Sequence, residues 1–173
     1  MIITGGKPMH LNNNTMALVT PFSLKAEHDE LHQKLKKLIF LPGKTGEMAH
    51  VVAHLLHPHF EKEEKEVAPY LGLLPMLSED KIPDDAGAVM AHLDQLKKEL
   101  PQMLEAHHQI TAAVQNLRKV AREEQRFGAA DFADKLLLHT RTEEDIIYPT
   151  LVLMGNFLKL KQLQEPARFA FYL

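Results

Sequence analysis

Apolar residues recur three and four positions apart along most of the chain, which is the spacing of one face of an α-helix. The sequence lacks the alternating β-branched runs and tight glycine turns that indicate strands. The pattern therefore predicts an all-α fold. Four helices are predicted, over residues 21–41, 45–67, 84–127 and 129–154.

Prolines mark where these helices begin, bend and end. Pro21 opens the first helix and Pro42 ends it. Pro58 lies inside the second helix and should bend it, and Pro101 either bends the third helix or starts a new one. The predicted core positions of the second and fourth helices are Val51, Val52, Leu55, Leu56, Phe60, Phe132, Leu136, Leu137, Ile146, Ile147 and Leu151.

The connections between the helices predict how they pack. The first and second helices, and the third and fourth, are joined by short connections, so each pair should be antiparallel. The longest connection, residues 69–83, joins the two halves. We therefore expect an up-down antiparallel four-helix bundle over residues 21–154, with an N-terminal extension (1–20) and a short C-terminal tail (155–173) that packs on the bundle.

A polar signature occurs twice in the chain. Residues 59–71 read HFEKEEKEVAPYL and residues 139–151 read HTRTEEDIIYPTL, so both contain H, three residues, E-E, four residues, P, one residue and L. Each copy follows another histidine at nearly the same distance, because His28 precedes the first by 31 residues and His107 precedes the second by 32. The chain resembles two copies of one helical hairpin.

Composition narrows the chemistry that this repeat can perform. The 173 residues suit a single domain, and a net charge of -3 gives no reason to expect nucleic acid or an anionic membrane as a partner. The chain has no cysteine, which excludes disulfides and thiolate metal sites and fits a reducing cytoplasm. No signal peptide or membrane-spanning segment is predicted. We expect a soluble cytoplasmic protein whose metal ligands, if any, are nitrogen and oxygen atoms.

The repeated spacing predicts a metal site. Residues four apart share one helix face, so His59 with Glu63, and His139 with Glu143, each present an imidazole and a carboxylate in one direction. One histidine from each of the other two helices would complete a set of four nitrogens and two carboxylates. Such a set suits two metals about 3.5–4 Å apart, bridged by the carboxylates, with positions left open for water or a small molecule.

An isolated histidine–glutamate pair would mean little, because this spacing also occurs as an ordinary helix-stabilising pair. The duplicated signature, with a second histidine before each copy, favours the shared site. On the third helix, His107 is preferred to His108 because Ile110 repeats the apolar residue that follows His28 by three positions. The predicted metal ligands are His28, His59, Glu63, His107, His139 and Glu143.

Other residues near the signature have less definite roles. Glu64 and Glu144 either hydrogen-bond a ligand histidine or are solvated, and the solvated interpretation is favoured because charged side chains are mostly exposed. Tyr70 and Tyr148 are interpreted as packing residues. His32 is the best candidate for a fifth nitrogen ligand. Among the remaining histidines, His54 and His57 could approach or line the entrance of the site, and surface positions are predicted for His10, His50, His92 and His108.

These motifs, EHDEL, HFEKEEKEVAP, AHHQI and HTRTEEDIIYP, resemble those of hemerythrin-like domains, also called HHE cation-binding domains. The resemblance covers residues 21–153. It implies a four-helix bundle that holds two non-haem iron ions bridged by carboxylates, with water, a bridging oxide or a small molecule in the remaining positions. It also implies that the six residues named above are the metal ligands. Residue types alone leave the metal open, because imidazole and carboxylate also accept manganese or zinc.

The chain differs from the oxygen-carrying branch of this family, whose third helix has paired histidines one turn apart. Met103 and Thr111 occupy the positions one turn from His107, and the fourth helix has the shorter H-x-x-x-E spacing. Both features resemble the branch of iron-centre repair proteins and of iron- or oxygen-sensing domains. The cysteine-containing segment of the repair proteins has no counterpart in this sequence.

The functional expectation is a di-iron protein that binds, senses or buffers oxygen, nitric oxide or iron. The alternatives are a redox enzyme, which reduces nitric oxide or peroxide or supplies iron for cluster repair, and a scaffold whose site holds zinc or nothing. A small diatomic molecule is the expected partner. The sequence indicates no particular protein partner and no oligomeric state.

Overall fold

The computed structural model describes residues 18–169, and their side chains through residue 164. His10 and residues 1–17 of the predicted extension lie outside this range. The described chain is all-helical, with four long helical stretches and no strand between residues 18 and 169. The elements are α1 (Phe22–Leu38), α2 (Lys44–Glu66), α3 (Ala68–Leu71), α4 (Leu74–Ser78), α5 (Ala86–Glu123), α6 (Phe127–Thr142), a π-helical segment (Glu143–Ile147) and α7 (Tyr148–Phe169).

The predicted helices are all present, with differences at their ends. Pro58 and Pro101 both lie inside helices, and α5 continues past Pro101 as one element instead of starting anew. The first helix ends at Leu38, three residues earlier than predicted. The predicted connection over residues 69–83 contains the short helices α3 and α4, each with a proline in its first turn.

The last helix is longer than predicted, because it continues past Gly155 to Phe169 instead of ending near Met154. A Cβ atom on Gly155 would lie 3.3 Å from Cβ of Leu93 on α5. Gly155 therefore allows α7 to pack closely against α5, and does not end the helix.

The contacts between neighbouring long helices follow one rule. An earlier residue of α2 contacts a residue at the end of α5, and a later residue of α2 contacts an earlier residue of α5. The contacts between α1 and α6 show the same relation. The pairs are Thr45–Glu124 and Lys62–Glu99 for α2 with α5, and Glu27–His139 and Glu30–Lys135 for α1 with α6.

Two large apolar clusters form most of the described core, and a small third cluster of alanines lies beside them. The first large cluster joins α1, α2, α5 and α6, and contains Leu31, Leu35, Val52, Leu56, Phe60, Ile110, Val114, Leu117, Phe132 and Leu136. The second joins the shorter helices, the first half of α5 and α7, and contains Val67, Leu71, Leu77, Val89, Leu93, Leu96, Met103, Tyr148, Leu151, Met154 and Leu158. Along the chain, Glu63, His107, His139 and Glu143 lie between residues of one large cluster and residues of the other.

Two predicted core residues are exposed. Val51 is 46% accessible because the buried stripe of α2 runs through Ala49, Val52 and Leu56, which leaves its neighbour outside. Ile146 is 60% accessible and lies in the π-helical segment. A π turn holds more residues than an α turn, so the residue three after Glu143 rotates away from the core.

Within residues 18–169, no helix is both long enough and apolar enough to cross a membrane.

Candidate metal centre

Four helical stretches bring the six predicted ligands together. His28 comes from α1, His59 and Glu63 from α2, and His107 from α5. The fourth stretch supplies His139 from α6 and Glu143 from the first position of the π-helical segment. All six side chains are buried, with at most 7% of any residue accessible: His28, His59, Glu63, His107, His139 and Glu143.

The repeated signature gives the same local geometry twice. Nε2 of His59 lies 3.3 Å from Oε2 of Glu63, and Nε2 of His139 lies 3.1 Å from Oε1 of Glu143. Both pairs are one helical turn apart and both point into the bundle. The glutamates therefore enter the cluster from opposite sides, each with its own histidine.

The cluster divides into two groups that share both glutamates. The first group is His28, His139, Glu63 and Glu143, and the second is His59, His107, Glu63 and Glu143. In each group one ligand atom per residue lies within 4.8 Å of the others, so each group could hold a metal ion. The structure thus places two histidines in each group and both carboxylates between them.

Hydrogen bonding leaves polar atoms of the cluster free to bind a cation. Four buried side-chain atoms in the described chain lack a hydrogen-bond partner, and all four belong to predicted ligands. They are Nε2 of His28, Nε2 of His139, Oε2 of Glu63 and Oε2 of Glu143. Imidazole nitrogens and carboxylate oxygens are suitable donors for a divalent metal, so the residues present fit such an ion.

Three of the four histidines also meet a carboxylate on the side away from the cluster. Such contacts fix the tautomer and ring orientation of a ligand histidine. The contacts of Nδ1 are His28 with Glu64 at 3.4 Å, His107 with Glu144 at 2.9 Å, and His139 with Glu27 at 3.5 Å.

These outer contacts correct the interpretation of the second glutamate in each signature. Glu64 and Glu144 are not merely solvated, although 44% and 33% of their side chains are accessible. Each bonds the ligand histidine of the long helix that precedes it in the chain, so Glu64 bonds His28 and Glu144 bonds His107. Glu27 was not predicted, because its contact depends on how α1 packs against α6.

Tyr148 takes part in the cluster, so its interpretation as a packing residue was incomplete. Its hydroxyl donates a hydrogen bond to Oε1 of Glu63 and lies 3.1 Å from Nε2 of His107. The π-helical segment explains this position, because the amide of Tyr148 donates to the carbonyl of Glu143, five residues earlier. The wider turn brings Tyr148 to the side of Glu143. Tyr70, in contrast, stacks on His92 with ring centroids 3.9 Å apart.

Phe60 packs against the imidazole of His28. Their rings are stacked at 4.3 Å with 3° between the planes, and Phe60 also meets His139 edge-on at 5.5 Å. The ring of Phe60 therefore closes one side of the cluster and limits the rotation of both histidines.

Burial and neighbouring charges change the pKa values of several side chains in the cluster. Burial raises the pKa of Glu143, but the nearby imidazoles of His139, His28 and His107 together outweigh burial and lower it to about 2. Burial, followed by the nearby His59, lowers the pKa of His107. For His139, burial acts to lower the pKa, but the carboxylates of Glu143, Glu27 and Glu63 together outweigh burial and raise it. A cation would compete with that proton, because a metal-binding imidazole nitrogen must be deprotonated.

The other histidines lie outside both groups. His107 is buried, while 75% of the His108 side chain is accessible, so the choice of His107 is consistent with the structure. His92 lies 2.7 Å from the carbonyl oxygen of Glu66. His32, the candidate fifth nitrogen, belongs to neither group and packs edge-on against Phe60. Together with His50, His54 and His57, it lines a separate cavity.

Comparisons of the chain with protein-family models, with curated proteins and with solved structures find no match. The interpretation of the cluster therefore depends on its own geometry and chemistry.

Proposed function

We propose that this protein is a hemerythrin-type metal-binding protein, which holds two iron ions and uses them to bind, sense or buffer oxygen, nitric oxide or iron. The observation that carries the proposal is that two four-residue groups share Glu63 and Glu143. A carboxylate has two oxygens and can bind one ion through each, so shared glutamates suit a bridged pair of metals.

In this proposal His28 and His139 would hold one ion, and His59 and His107 would hold the other. Glu63 and Glu143, which belong to both groups, would be shared between the two ions. These residues give each ion two nitrogens and two carboxylate oxygens, fewer donors than an octahedral ion accepts. When bound, a ferrous pair would supply electrons and the open positions that a diatomic ligand needs.

An apolar cavity beside the cluster supports the proposal that the ligand is small and uncharged. A cavity of about 450 Å³ lies against Tyr148 and Glu144, and its other walls are mainly leucine, proline and valine side chains. The phenol group of Tyr148 separates this cavity from Glu63. Oxygen and nitric oxide partition into apolar surroundings, whereas a charged ligand would lose its hydration there.

The order of helix contacts supports an up-down antiparallel bundle. Early residues of α2 meet late residues of α5, and the same relation holds between α1 and α6. Together with the duplicated signature, this arrangement supports the resemblance to hemerythrin-like domains. The resemblance also favours iron, because nitrogen and oxygen ligands alone suit manganese or zinc as well.

The proposal is tested by loading the protein with ferrous iron under anaerobic conditions and then admitting air. We expect two irons per chain and the absorption of a bridged ferric pair. Glu63→Gln and Glu143→Gln should each lose the paired-metal signature, because the bridging carboxylate is removed while the side-chain volume is kept. Glu64→Ala should retain the signature with weaker binding, since Glu64 only meets the outer nitrogen of His28.

Glu61→Gln is the matched control, because Glu61 is on the same helix and 68% of its side chain is accessible. It should bind iron as the wild type does. If the wild-type protein shows neither two irons per chain nor the bridged-pair absorption, the di-iron proposal fails. Normal paired-metal binding by the Glu63 and Glu143 variants would instead refute their bridging role.

One observation favours a redox enzyme as the second candidate. The hydroxyl of Tyr148 lies among the ligands and could deliver a proton to a bound small molecule, as reduction of peroxide or nitric oxide requires. Turnover assays on the iron-loaded protein with excess reductant separate the two functions. Many rapid turnovers would establish the enzyme, and a single stoichiometric reaction would support binding or sensing.

A further inference from the structure

The last long helix, α7, carries apolar side chains on two opposite sides. The side that faces the core includes Leu151, Met154 and Leu158, which are buried in the second large apolar cluster. A second row of side chains follows the opposite side, because its members are spaced four, three, four and three residues apart and are all exposed. We call this row the outer stripe, and its members are Pro149, Leu153, Asn156, Leu160 and Leu163.

The outer stripe has the spacing and composition of a helix–helix contact. Alternating steps of three and four residues place side chains along one seam, as in coiled coils. Leu153, Leu160 and Leu163 are 66%, 59% and 74% accessible, so the described chain leaves most of their apolar surface in water. A single asparagine in such a seam restricts how two helices can align, and Asn156 has that position here. The pattern therefore indicates a surface that packs against another helix.

The apolar surface continues from the outer stripe onto α5. Leu100 and Leu104 of α5 line the apolar cavity of about 450 Å³ together with Val152 and Leu153 of α7. The outer stripe alone is only about 20 Å long, because each helical residue adds 1.5 Å. The side chains of α5 widen this surface toward the size that a stable protein interface needs.

Charges near the outer stripe suit pairing with a second copy of this chain. Asp145 precedes the stripe, and Lys159 and Lys161 lie in its second half. If two stripes packed antiparallel, the acidic beginning of each would lie near the basic end of the other, whereas parallel packing would bring like charges together. Lys159 and Lys161 also contact Asp94 and Asp80 of their own chain, but these partly exposed pairs are weak enough to be exchanged.

We propose that the outer stripe is the interface at which two copies of this chain associate, with their α7 helices antiparallel. The same surface then serves both copies, and the contact is closed by a two-fold axis that leaves neither stripe free for further copies. The association does not rest on the proposed function, because no member of the stripe belongs to either buried group.

Light scattering of the full chain after size-exclusion chromatography tests the association. We expect the wild type to be a dimer at micromolar concentration. A double variant, Leu153→Glu with Leu160→Glu, should weaken the association by about 100-fold or more, because it places unpaired charges in the middle of the interface. Both leucines are exposed in the single chain, so the variant should keep the helical circular dichroism of the wild type.

Phe127→Glu is the matched control, because Phe127 is also 66% accessible and lies at the first position of α6, outside the outer stripe. It should dimerise as the wild type does. A monomeric wild type, or a double variant that dimerises as strongly as the wild type, would overturn the proposal. A monomer that binds phosphatidylglycerol vesicles through the stripe would instead assign it to a lipid surface. Dimers that form only after removal of residues 1–17 would assign it to that segment.

Single cysteines test the orientation of the two helices, since the chain has no cysteine of its own. Ile146 and Leu163 are exposed near the two ends of the outer stripe. When Ile146→Cys and Leu163→Cys are mixed and oxidised with diamide, they should form a mixed disulfide, and each alone should form several-fold less of its own. Efficient cross-linking of Leu163→Cys to itself would show parallel helices and contradict the proposed arrangement.

Measurements on metal-free protein separate this inference from the proposed function. The metal-free and the iron-loaded wild type should dimerise with equal strength. Dimers of a protein that never binds two irons would leave the interface standing without the proposed function. Two bound irons in a protein that stays monomeric would have the opposite meaning.

Discussion

At the scale of single residues, the buried cluster carries a clear energetic cost. Each unsatisfied buried polar group costs about 1–3 kcal/mol, and four such atoms lie together between Glu63, Glu143 and the two histidines of one group. Apolar residues at these positions would give a more stable core. This cost is what a cluster that could hold metal ions would carry when it is empty, because bound cations would provide the missing partners.

Tyr148→Phe tests how the hydroxyl of this tyrosine supports the cluster. The substitution keeps the ring and removes only the hydrogen bond to Glu63, so the protein should fold normally. We expect metal affinity to fall about 10–100-fold, the usual effect of losing a group that orients a metal ligand. Metal titration monitored by calorimetry measures the change.

Tyr70→Phe is the control for this prediction, because Tyr70 stacks on His92 and makes no contact with the predicted ligands in the described structure. It should bind metal as the wild type does. Equal affinities in the two variants would show that Tyr148 only fills space.

The sequence predicted four of the six clustered residues from local helix geometry, and His28 and His107 from their repeated distance to the two signatures. His59 and Glu63 share a helix face in any α-helix, and so do His139 and Glu143. The role of Tyr148 could not be predicted in this way. It depends on a π turn whose residues, Glu143–Ile147, have no distinguishing composition.

At the scale of elements, the first turn of α2 is held by contacts from distant parts of the chain. A Cβ atom on Gly46 would lie 1.9 Å from the carbonyl oxygen of Leu41. Any side chain would therefore push α2 away from the segment that follows α1. The same turn receives the carboxylate of Glu124, which follows α5.

Gly46→Ala should destabilise the protein by at least about 1–3 kcal/mol, because the backbone must move to admit the methyl group. Gly87→Ala is the matched control, since nothing lies within 4 Å of the added Cβ atom and the residue is in a helix. Alanine there should raise stability by up to about 1 kcal/mol. Urea denaturation of both variants measures these differences, and equal midpoints would contradict the predicted clash.

Glu124 should make stability depend on pH. Its carboxylate accepts hydrogen bonds from the Thr45 hydroxyl and from the amides of Thr45 and Lys44, and these bonds lower its pKa. The stabilisation is complete above the ordinary glutamate pKa and disappears as pH falls through the lowered value. Glu124→Gln should therefore lower the melting temperature at neutral pH.

The difference between Glu124→Gln and the wild type should shrink in acid, where the wild-type carboxylate is also neutral. Glu123→Gln changes the neighbouring exposed glutamate and serves as the control in thermal melts at several pH values. A constant difference between Glu124→Gln and the wild type across the acid range would refute this account of the α2 start.

The ends of the helices were predicted less well than their presence and order, because some ends depend on packing against other helices. Glycine after Met154 is an ordinary stop signal, yet Gly155 lies within α7 because its small size lets α7 approach Leu93. The role of such a glycine depends on a neighbouring helix, which the local sequence does not specify. Existence and order of the four long helical stretches depend on apolar periodicity, which is local.

At the scale of the whole molecule, His107 lies between the two large apolar clusters. On α5, Met103 belongs to one cluster and Ile110 to the other. Both shared glutamates likewise lie between residues of the two clusters along the chain. A cation bound at the centre would join four helical stretches at the point where apolar packing is interrupted.

Metal binding should therefore stabilise the whole described fold in one cooperative transition. A ligand at about 100 times its dissociation constant adds about 2.7 kcal/mol per site, which for a chain of this size raises the melting temperature by roughly 5–10 °C. Differential scanning calorimetry with and without zinc, a redox-inactive probe, measures the shift. Glu143→Gln should lose most of this shift, whereas Glu61→Gln, which changes an exposed residue of α2, should keep it. A full shift retained in Glu143→Gln would contradict stabilisation through the buried cluster.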